Sequence, residues 1–289
     1  DEAGRGPLAG PVVAAAVRFS FGVGPEVFVA GGFDIAPALG LSPRVGADGM
    51  SVVLVLLSAA LAPMALAFGV DHDAAESHRS PRPYYAWMLV LVGALQGVFV
   101  AGDVVTFYLF FELTMLPLVV LTLLYGGAQR RAASMRLFVS TFLGSLCMLV
   151  GLLMVVVSGG ETLAVGFDRF VQAGARLPAE QQVLVALLLC VGFAVKTPLM
   201  PLHSWQPLAY TQAPLGATVL MSAVLAKMGT YGFVRLAAGG VPTGFAALAP
   251  VLAVVCCVTI VAGGLIAWVQ REALRVLAYS SMSHLGFCV

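Results

Sequence analysis

The chain has 289 residues, of which 60% are hydrophobic and 10% charged, and its formal net charge is +1. A soluble domain carries about 25% charged residues, so this composition excludes an ordinary soluble globule. A charge near neutrality without a basic patch excludes nucleic acid as a partner.

Repeated apolar runs of about 20 residues predict an all-α, polytopic transmembrane helix bundle. Residues 10–23 form a short apolar stretch interrupted by Arg18, read as the remnant of a spanning helix, and residues 24–47 form a Gly/Pro-rich connection. The chain starts at Asp1, shows no signal-peptide pattern and stops at Val289 inside an apolar run, so both ends are expected to be cut. Residues 1–47 are therefore taken as a partial N-terminal helix and connection, and 48–289 as the bundle proper.

The first clean span follows Asp48 and Gly49 and runs to about Val70, and the segment 71–83 reads as a polar loop containing His72 and His78. Two spans follow at about 84–102 and 104–125, joined around Asp103. A loop carrying Arg130, Arg131 and Arg136 leads into a span ending near Ser158, and residues 159–180 read as a mixed-charge loop. The next span begins near Gln181 and meets Pro198, Pro201 and Pro207. Proline lacks an N–H and clashes with the preceding turn, which predicts a break just after Lys196. Broken membrane helices persist only where protein or water satisfies the freed backbone groups. Further spans are expected at about 212–236 and 243–269, with a last one starting near Glu272. The loops holding Arg79 and Arg82, Arg130, Arg131 and Arg136, and Arg271 and Arg275 outweigh the opposite set of Arg44, Arg169, Arg176 and Arg235. That asymmetry predicts the first set on the cytoplasmic side.

The chain has only two lysines, Lys196 and Lys227, and both stand inside apolar segments with one carboxylate, Glu112. An ionised group at mid-bilayer costs roughly 2.5–3.5 kcal/mol on insertion scales, so three of them need partners or a hydrated cavity. Lys196 and Lys227 are the counter-charges available to Glu112 at similar depth. An ion pair favours the charged state of both partners, and separating them frees a proton to move. The competing readings are a structural acid for Glu112 and snorkelling to an interface for the two lysines. His203, just after the predicted break, and His284, among Ser280, Ser281 and Ser283, extend the set as candidate proton relays. A packing role competes with that reading for each histidine. Cys147, Cys190, Cys256, Cys257 and Cys288 lie in apolar runs without a CxxC pair and read as small hydrophobes. No haem, flavin, iron–sulfur or metal-ligand spacing is present, so no cofactor is expected in this chain and an active site built from it alone is not expected.

The runs FFELTMLPLVVLTLLYGG, KTPLMPLHSWQPLAYTQAP, LAKMGTYGFVRL and LAYSSMSHLGF, with VGADGMSVVLVLLSA before them, resemble the antiporter-like subunits of respiratory complex I, in particular the chain M group. The resemblance covers the chain from about residue 40 onward. It implies two inverted five-helix repeats with flanking helices, of which this chain holds the first and the start of the second. It also implies a Glu112–Lys196 pair on the fifth helix and the broken seventh helix, with Lys227 continuing the relay and His284 further along a hydrated axis. The implied activity is proton translocation by a non-redox subunit among other membrane subunits of a complex I-type assembly, in a bacterial cytoplasmic membrane. Related alternatives are a subunit of a multi-subunit cation/proton antiporter, or of a hydrogenase or inorganic-carbon uptake complex. The family pattern HxWLPDAHxxAP is here HSWQPLAYTQAP, with Gln206, Leu208 and Tyr210 in place of a leucine, an acid and a histidine.

Overall fold

The computed structural model describes residues 28–32, 44–77, 81–160 and 165–289. The apolar stretch at 10–23 and His78 lie outside the described residues. Among those described, seven segments are long and apolar enough to cross a membrane. The chain is an integral membrane protein. Its spans are held to each other by apolar packing.

The connection before the first span is not wholly irregular. Strand β1 (Phe28–Gly32) pairs antiparallel with β2 (Arg44–Ala47). The ribbon is tied to the bundle through Asp103, which accepts from the Arg44 N–H at 2.7 Å, and through the Gly102 N–H, which donates to the Arg44 carbonyl at 2.8 Å.

Helix α1 (Gly49–Ser77) starts on Asp48, whose carboxylate accepts from the Ser51 N–H at 2.8 Å, the usual capping arrangement. It continues about two turns past the expected stop near Val70. Residues 71–77 contain neither proline nor glycine, so polarity alone does not end the helix. Helix α2 (Pro81–Val100) follows. The span expected at 104–125 is two helices, α3 (Val104–Leu113) and α4 (Met115–Tyr125), divided at Thr114. Pro117 is the physical reason: it has no N–H for the Leu113 carbonyl and its ring crowds that turn. Asp103 caps α3 by accepting from the Thr106 N–H and hydroxyl at 2.8 and 2.6 Å.

Helix α5 (Arg130–Ser158) packs closely on α7 (Ala179–Lys196). Small residues allow the approach: a Cβ on Gly144 would stand 2.8 Å from Val195 Cβ, and one on Gly192 would stand 2.6 Å from Met148 Cβ. Within the expected loop 159–180 the structure instead forms α6 (Phe167–Arg176). Phe167, Phe170, Ala173 and Gly174 fall at helical spacing on one buried face, a periodicity that the charged residues between them conceal.

Helix α7 stops at Lys196 as the prolines predict, and the chain resumes as α8 (Gln206–Gln212). The break keeps its backbone partnered. Trp205 Nε1 donates to the Val195 carbonyl at 2.9 Å, the Leu199 N–H to the Ala194 carbonyl at 2.9 Å, and Thr259 Oγ1 accepts from the Met200 N–H at 3.0 Å. The following span consists of α9 (Leu215–Leu220), a π-helical turn (Met221–Leu225), α10 (Ala226–Gly232) and a second π-helical turn (Phe233–Ala238). Helices α11 (Pro242–Val269) and α12 (Ala273–Cys288) complete the described chain.

Candidate functional site

Two proline-induced interruptions face each other in the bundle, and Glu112, Lys196 and His203 lie at them. Glu112 lies two residues before the α3/α4 division at Thr114, half-buried. Lys196 is the last residue of α7 and is 3% exposed. Its ammonium donates to Thr114 Oγ1 at 3.1 Å and stands 4.8 Å from the centre of the Phe111 ring. Thr114 in turn donates to the Phe111 carbonyl at 2.7 Å. The hydroxyl at the division is thus an acceptor for the buried cation and a donor to its own helix.

Glu112 is within electrostatic range of Lys196, and its carboxylate is within hydrogen-bonding reach of Ser145 on α5. Among the described residues, Glu112 and Lys196 make no ion-pair contact, so Thr114 and the Phe111 ring are the close partners of the ammonium. An uncompensated buried ammonium is costly. A hydroxyl bond, a ring face and a carboxylate at longer range share the task here. Ser145 and Thr114 are the members of this site that sequence reading did not single out. Pro117 was the available signal for Thr114, since it marks where α3 must yield.

The aromatic packing around these residues fixes where they point. Phe107 and Phe111 of α3 meet Phe193 of α7, with ring centres 6.4 and 6.2 Å apart, and Phe193 meets Phe233 at 5.7 Å. Helix α10 lies against the same end of α7. A Cβ on Gly232 would run into the Phe193 ring, and one on Gly229 into the Thr197 side chain. Bare glycines therefore set the distance of α10 from the break.

Lys227 stands two residues before Gly229, half-buried, and donates from Nζ to the Ser222 carbonyl at 2.7 Å. That carbonyl belongs to the first π-helical turn, so the lysine bonds within its own span. Lys227 is also within electrostatic range of Cys288 at the end of α12. His203 is half-buried within the break, its ring centre 6.3 Å from that of Tyr279 on α12. His284 is on α12 and is exposed. The structure thus brings Glu112 and Lys196 to one site and sets Lys227 on the adjoining helix. It places His203 on the α12 side of the break and leaves His284 on an outward face. Among the described residues there is no cluster of histidine, cysteine and carboxylate side chains suited to a metal ion.

A separate polar group closes the other end of the bundle. Arg235 pairs with Asp48, lies 4.7 Å from the centre of the Phe167 ring and 5.4 Å from that of Tyr231. The Tyr231 and Ser51 hydroxyls are 3.2 Å apart. Burial raises the Asp48 pKa, but the Ser51 backbone N–H and the Arg235 charge outweigh it and hold the carboxyl below the usual range. This group ties the start of α1 to the end of the span carrying Lys227.

Comparison with known proteins identifies the fold and the family. NADH-quinone oxidoreductase subunit M of Rhodobacter capsulatus is 36% identical over 262 residues, a match that covers 88% of this chain and 50% of that protein. A chain of the respiratory complex I of Thermus thermophilus with bound NADH superposes with a TM-score of 0.78 at 29% identity, covering 91% of this chain and 54% of that one. A chain of the membrane-bound sulfane sulfur reductase, an archaeal respiratory membrane complex, gives 0.76 at 26% identity, covering 91% and 52%. The chain spans about half the length of these relatives. Residues 101–289, which carry both interruptions and every candidate residue, match the family described as NADH:quinone oxidoreductase/Mrp antiporter, TM, and the chain belongs to that family.

Proposed function

We propose that the protein translocates protons as a membrane subunit of an NADH–quinone oxidoreductase-type complex, in a bacterial cytoplasmic membrane and among other membrane subunits. The observation that carries this reading is the placement of Lys196, buried at a helix break, opposite a second break bearing Glu112 and Thr114. A helix that stops in mid-membrane can shift its last residue with little loss of backbone bonding. A small displacement of α7 against α3 changes the Glu112–Lys196 separation, and with it the ease of proton release from the lysine. Lys227 on α10 is the next acceptor in this scheme, as the neutral amine left once its own proton has passed on toward α12 and its Nζ has turned from the Ser222 carbonyl. His203 and His284 continue the relay toward α12. In this reading the chain itself contributes no redox group. Quinone reduction elsewhere in the assembly supplies the drive.

The test uses the full-length protein in its native complex, reconstituted in vesicles. With Lys196→Ala, ΔpH formation falls to background, and quinone-dependent NADH oxidation falls with it in a tightly coupled assembly. Near-normal ΔpH formation in that variant refutes the mechanism. Absence of NADH or quinone activity from the unsubstituted complex, with cation-dependent proton exchange in its place, assigns the same residues to a cation/proton antiporter.

A further inference from the structure

The end of the break and the resumed helix α8 together present a polar row to α12. His203, Gln206 and Tyr210 recur at spacings of three and four, and all three meet the stretch of α12 that contains Tyr279 and Ser281. Gln206 has no exposed surface and Tyr210 is 1% exposed. Gln206 Nε2 donates to Ser281 Oγ at 3.0 Å, and Ser281 donates onward to the Ala278 carbonyl at 2.9 Å. The Tyr210 hydroxyl is within hydrogen-bonding reach of both Gln206 and Ser281. The second end of the Gln206 amide, Oε1, is buried with no protein group to donate to it. Turning the amide over exchanges which end is unpaired and does not remove the deficit.

A buried acceptor left unpaired costs about 1–3 kcal/mol. Holding one ordered water costs about 0–2 kcal/mol, and such a water needs two to four polar partners. This corner supplies them. A water here donates to Gln206 Oε1 and accepts from the Tyr210 O–H, with Ser281 Oγ beside it as an acceptor with a lone pair to spare. We infer that Gln206, Tyr210 and Ser281 hold an ordered water between α8 and α12, forming a neutral polar junction separate from the lysines. The inference stands on the orphaned amide and its neighbours, and does not depend on the transport reading.

Hydroxyl-radical footprinting by X-ray radiolysis tests it, because buried side chains are labelled where water is bound beside them. The experiment uses the full-length protein in its membrane complex, and compares native chain, Gln206→Leu and Gln206→Glu. Tyr210 is expected to be labelled in the native chain despite its burial. Labelling drops several-fold in Gln206→Leu, which keeps the bulk and removes the acceptor, and persists in Gln206→Glu, which keeps an acceptor. Thermal melting establishes that each variant is folded, and Gln206→Met, which also lacks the amide acceptor, makes the same comparison if Gln206→Leu does not assemble. Background labelling of Tyr210 in the native chain, or unchanged labelling in folded Gln206→Leu, overturns the inference.

Discussion

Gly229→Ala is the sharpest test of how the two lysine-bearing helices are held. A Cβ at this position overlaps the Thr197 side-chain oxygen and lies 2.9 Å from the Thr197 nitrogen and 3.0 Å from the Phe193 carbonyl oxygen. The last two are backbone atoms and have no rotamer to escape into, so α10 must back away from α7. Overpacking of this kind costs about 1–3 kcal/mol. Alanine recovers up to ~1 kcal/mol over glycine in a helix interior, and at the upper end of the clash a net loss of about 1–2 kcal/mol remains. For a chain this large, ~1 kcal/mol corresponds to about 2–4 °C in melting temperature, so the expected drop is about 2–8 °C. Proton transport falls as well, because Lys227 moves with α10. Thr197→Ala in the same background restores little, since the backbone contacts persist. A Gly229→Ala protein with native melting temperature and native transport would refute the claim that bare glycine sets this spacing.

Two further outcomes follow from the site geometry. Thr114→Val removes the acceptor of the buried Lys196 ammonium. A hydrogen bond to a charged group is worth about 1.5–3 kcal/mol, so transport slows by about tenfold or more. Unchanged transport rates across a pH series would show that the hydroxyl does not hold the lysine. The Asp48–Arg235 pair makes an acid-side prediction. The folded-state pKa of Asp48 lies below the usual aspartate value of 3.8, so the pair's contribution is fully present above that value and is lost as pH falls through the lower folded one. Asp48→Asn therefore lowers the melting temperature near neutrality and weakens its decline below about pH 3.8. Parallel melting curves for the two proteins from pH 6 down to pH 3 contradict this.

Much of the site was legible because proline writes its effect into the chain locally. Pro198, Pro201 and Pro207 announce the break after Lys196, and the scarcity of charge in the spans makes Glu112, Lys196 and Lys227 conspicuous. Pro117 carried the same kind of signal for the division at Thr114. A single proline is easily read as a tolerated kink, and the hydroxyl beside it looked like one polar residue among apolar ones. Helix α6 was missed for the opposite reason. Its charges dominate the composition, while its buried residues are legible only by spacing. The Gln206–Ser281 bond joins residues far apart in sequence, and no local pattern gives such a pairing. At the sequence level, Gln206 and Tyr210 were visible only as departures from a family pattern. The exposure of His284 likewise depends on which face of α12 meets α11, which its run of serines does not reveal.

The two π-helical turns that flank α10 bear on which lengths this span can have. Each such turn accommodates one residue more than an α-helical turn, and one residue corresponds to about 100° of rotation about the helix axis. The segment from Leu215 to Ala238 is thus governed by angular phase as much as by the thickness it must cross. Losing one residue within Met221–Leu225 would let that stretch relax to regular α-helix. Because the turn already absorbs that extra residue, Lys227, the two spacing glycines and Arg235 would keep nearly their present facing toward the end of α7 and Asp48. A residue gained or lost within α9 or α10, where no such turn absorbs it, would instead rotate everything that follows by about 100°. Single-residue deletions in this span are therefore least damaging at its two π-helical turns.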